Sequence, residues 1–159
     1  MERRAFLGAS AAAVACWLWP ERAGASVPLV LVPIVAASSA VADVSLGTLR
    51  RVFLSQPVSG PGGVAFVGFN QPAGTREREL FDRVVLGMSP DEAARYWVDQ
   101  RIRSGLRPPR SVPNVALLRQ VVVRYPGAIG YVAVGDLDAT VKPVTINGAG
   151  PAAPGYPLR

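Results

Sequence analysis

Apolar runs of strand length alternate with polar-capped segments of helical period along most of this chain, and that alternation leaves few architectures open. "VPLVLVPIV" (27–35) is rich in β-formers and places a strand at 29–35, with Pro28 and Pro33 confining it to strand ends or a sheet edge. Behind Ser45, a residue suited to capping, Leu46, Leu49 and Phe53 recur at helical spacing. "QPVSGPGG" is turn composition, and "VAFVGFN" after it reads as a second strand ending at Asn70. Thr75 then leads a helix with Glu77 and Glu79 in its first turn, an apolar face of Leu80, Phe81, Val84 and Val85, and a stop at Gly87.

Ser89-Pro90-Asp91-Glu92 has the spacing of a capping box and starts the next helix, with Ala93, Trp97 and Ile102 on or near its inward side. Gly105 and Pro108-Pro109 end that segment. A further helical stripe, Val115, Leu118 and Val122, follows Asn114; "YPGAIGYV" closes it and opens a strand, and "VKPVTING" reads as the last strand. The segment 149–159, "AGPAAPGYPLR", has the composition of a flexible tail. Strands alternating with helices imply an α/β domain, and the pattern leaves open whether it has two layers or three.

The first 25 residues differ in kind. Arg3-Arg4, an apolar stretch from Ala5 to Trp19, and Ala23-Gly24-Ala25 ahead of Ser26 are the parts of a secretory signal peptide. Arg3-Arg4 with Phe6-Leu7 also resembles a twin-arginine export signal, although Glu2 departs from that pattern. The apolar stretch is short and ends in Pro20-Glu21-Arg22, which favours a processed signal over a membrane anchor and leaves no integral membrane segment after processing. Cys16 follows Ala13-Val14-Ala15 loosely as in a lipoprotein signal, but the apolar core runs on through Trp19, so lipid anchoring is the weaker reading. The division expected is therefore a signal at 1–25, an α/β domain at 26–148 and a tail at 149–159.

Composition narrows the chemistry. The chain has no His and one Cys, Cys16. That removes Ser-His and Cys-His catalysis and the commonest zinc ligand, and it leaves the exported domain without a disulfide despite its oxidising destination. Glu77/Glu79 are spaced to different sides of a helix and Asp136/Asp138 fall in a turn, so neither pair forms an acid–base couple, and the latter lacks the remaining ligands of a calcium loop. No catalytic residue, metal site or cofactor is expected. The net charge of +6 and the arginines at 101, 103, 107 and 110 attract anions in general. Without interleaved aromatics they read as a solvated surface, and nucleic acid is not an expected partner.

One short stretch carries a more specific possibility. In "QPAGTREREL" (71–80), Pro72 and Gly74 turn the chain sharply into a helix capped by Thr75. The free N–H groups and positive dipole end of such a helix suit an oxyanion, with Arg76 adding charge, but the same residues serve equally as an ordinary cap.

"SLGTLRRVFL", "ARYWVDQRIRSGLRPPR" and "YPGAIGYV", in that order and spacing, resemble the phosphate-type substrate-binding proteins of ABC transporters, and in particular their short, single-lobe-sized relatives. The likeness covers about residues 28–147, and "PGAIGYV" is its most specific piece. It implies a periplasmic-binding-protein-like (type II) α/β domain, one lobe-sized sheet flanked by helices, located in the periplasm. In that family a Ser-Gly-Thr at a helix start contributes to an oxyanion site; Gly74 and Thr75 match it here, while Ala73 replaces the Ser. By the same resemblance Ser38 and Ser39, just after the first strand, fall where the family lines its cleft, so the implied ligand set is Gly74, Thr75, Arg76, Ser38 and Ser39. The full-length family closes two lobes over its ligand, and this chain is too short for a complete second one.

Two functions follow from the resemblance and stay open on sequence. One is a periplasmic binding protein for phosphate or a related oxyanion, linked to an ABC permease and completed by a partner or by self-association. The other is a degenerate module that keeps the fold and acts through protein–protein contact, for example with a sensor protein in the envelope. An enzyme is not expected.

Overall fold

The computed structural model describes residues 28–159, so the expected signal at 1–25 lies outside the described residues. Strands β1 (Leu31–Ala36), β3 (Val67–Asn70), β4 (Arg110–Ser111), β5 (Ala128–Ala133) and β6 (Val141–Pro143) form one sheet in the order β4-β3-β5-β1-β6. β3 runs parallel to both β4 and β5, whereas β1 is antiparallel to both β5 and β6. A separate pair of short parallel strands, β2 (Asp43–Val44) and β7 (Thr145–Ile146), takes up the second half of "VKPVTING".

Helices cover both faces of the sheet. α1 (Leu46–Phe53) and α2 (Arg76–Phe81) pack on one face, where Phe53 and Phe81 close on Tyr131 of β5; the Phe81 and Tyr131 rings stack at 3.8 Å and 5°. Because side chains alternate along a strand, the neighbouring Gly130 faces the other way. There Leu118 and Val122 of α4 (Val115–Arg124) pack so closely that a Cβ at Gly130 would lie 3.1 Å from Leu118. The domain is thus three-layered, and β1 and β5, buried on both faces, form its centre.

Every expected cap is in place. Ser45, Thr75, Ser89 and Asn114 each accept a backbone N–H from the first turn of their helices, and Ser89 with Glu92 completes the capping box of α3 (Pro90–Ser104). Gly87 and Gly105 end their helices in the left-handed conformation, at φ 69° in both cases. At Gly127 the need for glycine is twofold: φ is +78°, and a Cβ would lie 2.1 Å from the carbonyl oxygen of Ala65.

Three expectations are corrected. Pro33 does not mark an edge, since β1 lies between β5 and β6; β6 pairs with Ile34–Ala36, and just before that pairing the Pro33 carbonyl accepts from Val144 N–H at 2.9 Å. Ile102 does not face inward but is 79% exposed, because α3 packs on the core through Ala93, Tyr96 and Trp97 in its first half. The segment 149–159 is not a loose tail. Tyr156 and Leu158 are buried, Leu31 N–H donates to the Leu158 carbonyl at 2.9 Å, and the Tyr156 hydroxyl donates to the Leu31 carbonyl at 2.9 Å.

Candidate functional site

β3 delivers the chain to the stretch singled out in the sequence. It ends at Asn70, and Gln71-Pro72-Ala73-Gly74 turn into α2, with Gly74 at φ +82°. The Thr75 hydroxyl is engaged on both sides: it donates to the Pro72 carbonyl at 2.9 Å and accepts from Arg78 N–H at 3.3 Å. The first-turn N–H groups of Arg76 and Glu77 have no carbonyl one turn back, and Arg76 is exposed beside them. Glu77 and Glu79 also occupy this turn and already complement the positive end of the helix. The helix start is therefore a formed cap with two backbone donors to spare and a mixed field around it.

Ser38 and Ser39 do not join this site. Ile34 pairs with Gly130 and Val67 with Ala128, so the end of β1 lies at the edge where β3 and β5 begin, and Thr75 lies at the edge where they finish. The antiparallel direction of β1 produces this separation. At their own edge, Ser39 Oγ accepts from Val41 N–H at 3.2 Å, the Ser39 carbonyl accepts from Lys142 Nζ at 2.5 Å, and both serines line a cavity of about 290 Å³ with Phe66, Val122 and Tyr125. The five residues implied by the resemblance thus form two groups at opposite ends of the sheet, and one small ligand cannot touch both.

Behind Thr75 lies a buried polar network that the sequence reading missed. Arg78 Nε donates to Asp82 Oδ2 at 2.6 Å, with the two side chains 13% and 6% exposed, and Arg78 Nη1 donates to the Gln71 carbonyl at 3.3 Å. Gln71 Nε2 donates to the Tyr131 carbonyl at 3.0 Å, and the Tyr131 hydroxyl accepts from Gln71 N–H at 3.4 Å while donating to Asn70 Oδ1 at 3.3 Å. Burial raises the Asp82 pKa, opposed by the charge and hydrogen bond of Arg78, and burial likewise drives that of Tyr131 upward. The available signal was Asp82 itself, an acid within the apolar run "ELFDRVVL" and four residues after an arginine. Among the described residues no three His, Cys, Asp or Glu side chains gather as a metal site would require.

This arrangement of sheet and helices is shared, as a fold, with solved phosphate-transport proteins. The chain is similar to an ABC-type phosphate transport receptor from Vibrio cholerae, with a TM-score of 0.62 at 16% identity over 78% of this chain and 48% of that one. It is similar to a putative phosphate ABC transporter substrate-binding protein with bound phosphate from Clostridium perfringens, at 0.62 and 17% over 77% and 47%. PstS from Borrelia burgdorferi gives 0.63 and 11% over 82% and 54%. The chain therefore spans about half the length of these proteins. At such identities the likeness is one of fold. No family model matches the chain, and no curated protein matches it in sequence. Among the described residues no helix is long and apolar enough to cross a membrane.

Proposed function

We propose that this chain is an exported, periplasmic substrate-binding-type domain that holds phosphate or a similar oxyanion at the start of α2 and works with an ABC permease. The observation that carries the reading is the helix start itself: in a fold shared with phosphate receptors, the Gly74–Thr75 turn leaves the N–H groups of Arg76 and Glu77 without acceptors at the carboxyl edge of β3, with the Arg76 side chain alongside. Gly74 gives the tight turn, Thr75 fixes the first turn of the helix, and Arg76 supplies charge for the anion. Ser38 and Ser39 enter this reading only as the lining of a separate cavity. The reading is non-enzymatic: binding at a helix start needs no nucleophile or base.

A second reading, a module acting through protein–protein contact with a sensor or another envelope protein, is favoured by specific geometry. Both hydrogen-bonding directions of the Thr75 hydroxyl are used within the chain, and two glutamates compete with an anion for the same helix end.

Calorimetric titration of phosphate into the protein, beside Thr75→Ala and Arg76→Ala variants and with sulfate as competitor, separates the two. Saturable binding that both substitutions weaken by about tenfold or more supports the oxyanion site, since each such loss corresponds to about 1.4 kcal/mol. Absence of heat with either anion up to millimolar concentration removes it and leaves the interaction module.

A further inference from the structure

α3 carries apolar side chains on two opposite sides. Ala93, Tyr96 and Trp97 pack on the core, whereas Val98 and Ile102, 61% and 79% exposed, are the two most exposed large apolar side chains among the described residues. Ala94 is exposed as well, and a spacing of four aligns Ala94, Val98 and Ile102 in one stripe along the helix, turned away from the core. A surface helix normally turns a polar face to water opposite its core-facing side. An aligned apolar stripe in that place, unlike a single exposed valine, marks a contact surface.

The ends of the stripe are charged, with opposite signs. Asp91 precedes Val98 by two turns and Arg101 follows it by nearly one, both on the side of the helix that bears the stripe. Both are exposed, and neither belongs to an ion pair among the described residues. A surface that runs from acid through apolar to base is complementary to its own reverse. Laid antiparallel about a two-fold axis at Val98, two α3 helices set Val98 against the partner's Val98 and the small Ala94 level with the partner's Ile102. At a rise of about 1.5 Å per residue Asp91 lies about 10.5 Å from the axis and the partner's Arg101 about 4.5 Å along the same direction, a gap of roughly one helical turn that an arginine side chain spans. The helix dipoles oppose each other in this arrangement. Other covers fit less well: an anionic lipid surface, a nucleic acid or an acidic protein segment meets Asp91 and Glu92 at one end, and a basic segment meets Arg101 and Arg103 at the other.

We propose that this face of α3 binds a second copy of the chain, giving a two-fold symmetric dimer of antiparallel α3 helices. The contact uses no atom of the α2 start, so it stands or falls independently of oxyanion binding. One helix against one helix is smaller than the roughly 1,200–2,000 Å² of a standard interface, and the dimer is accordingly reversible and concentration-dependent.

Sedimentation equilibrium of the full chain at physiological salt, from micromolar to millimolar concentration, reads the association constant. A monomer–dimer equilibrium is expected. Val98→Glu, which sets two like charges face to face at the axis, and Ile102→Glu should each weaken it about tenfold or more while circular dichroism stays that of the parent, because both positions are exposed. Asp91→Arg and Arg101→Asp should each weaken it too, and the double variant Asp91→Arg/Arg101→Asp should recover the loss, since it exchanges the two ends of the same pair. A monomer throughout the range, an assembly larger than a dimer, association that Val98→Glu and Ile102→Glu leave unchanged, or a double variant no tighter than the single ones overturns the proposal.

Discussion

Replacing Gly127 by Ala should cost much more stability than the same change at Gly87, although both glycines sit at positive φ, +78° and +69°. An L-residue in the left-handed region costs about 1–2 kcal/mol, and Gly87 has nothing within 4 Å of its added Cβ, so that term alone applies there. At Gly127 the new Cβ would stand 2.1 Å from the Ala65 carbonyl oxygen, which is backbone and cannot rotate away. Restoring ordinary contact needs a shift of roughly 1.5 Å, because non-bonded contacts of carbon settle near 3.5–4.0 Å. That shift pulls on the Gly127 carbonyl, which accepts Val67 N–H at 2.9 Å and starts the β3–β5 pairing. Losing that bond adds about 1 kcal/mol, and residual strain brings the total for Gly127→Ala to about 3–4 kcal/mol. Urea denaturation of both variants, read at constant slope, gives the comparison through the shift in midpoint. Equal losses for the two variants would refute the close-approach argument and leave backbone conformation as the whole reason for glycine in "PGAIGYV".

Further outcomes follow from the same structure. Tyr131→Phe leaves Asn70 Oδ1 without its buried donor and should cost about 1–3 kcal/mol by thermal or urea unfolding. Leu158→Ala should cost about 2–5 kcal/mol and speed hydrogen exchange at Leu31 N–H, whereas a loose tail would leave both unchanged. The pH dependences of Asp82 and Glu92 should have opposite signs. Burial raises the Asp82 pKa in the folded state, so its contribution is greatest below the unfolded-state value and is lost as pH rises through the folded one; stability relative to Asp82→Asn should fall over that rise. The Ser89 backbone N–H, then its hydroxyl, lower the Glu92 pKa, so its contribution is present above the unfolded-state value and disappears as pH falls through the folded one, taking with it the deficit of Glu92→Gln. Urea midpoints measured across the acidic range check both.

What was legible in the sequence is what local physics controls. Ser45, Thr75, Ser89 and Asn114 cap their helices because a short polar side chain reaches first-turn N–H groups whatever the tertiary context, and Gly87 and Gly105 end helices because a residue without a Cβ enters the left-handed region without strain. The order of strands and helices, and hence the α/β class, came from the same short-range periodicities. Strand direction did not, since no local pattern records whether β1 runs with β3 or against it. That one choice of pairing separates Ser38 and Ser39 from Thr75 by the length of the sheet. Burial of single residues was likewise undecided: Ile102 was left in solvent and Leu158 drawn into the core by where α3 and the C-terminal segment came to pack. The Asn70–Gln71–Arg78–Asp82–Tyr131 network exists only because chain folding brings together groups as distant in sequence as Gln71 and Tyr131. Sequence determined the elements and their ends; the tertiary structure decided which of them share an edge, because pairing and burial are set by contacts between residues far apart along the chain.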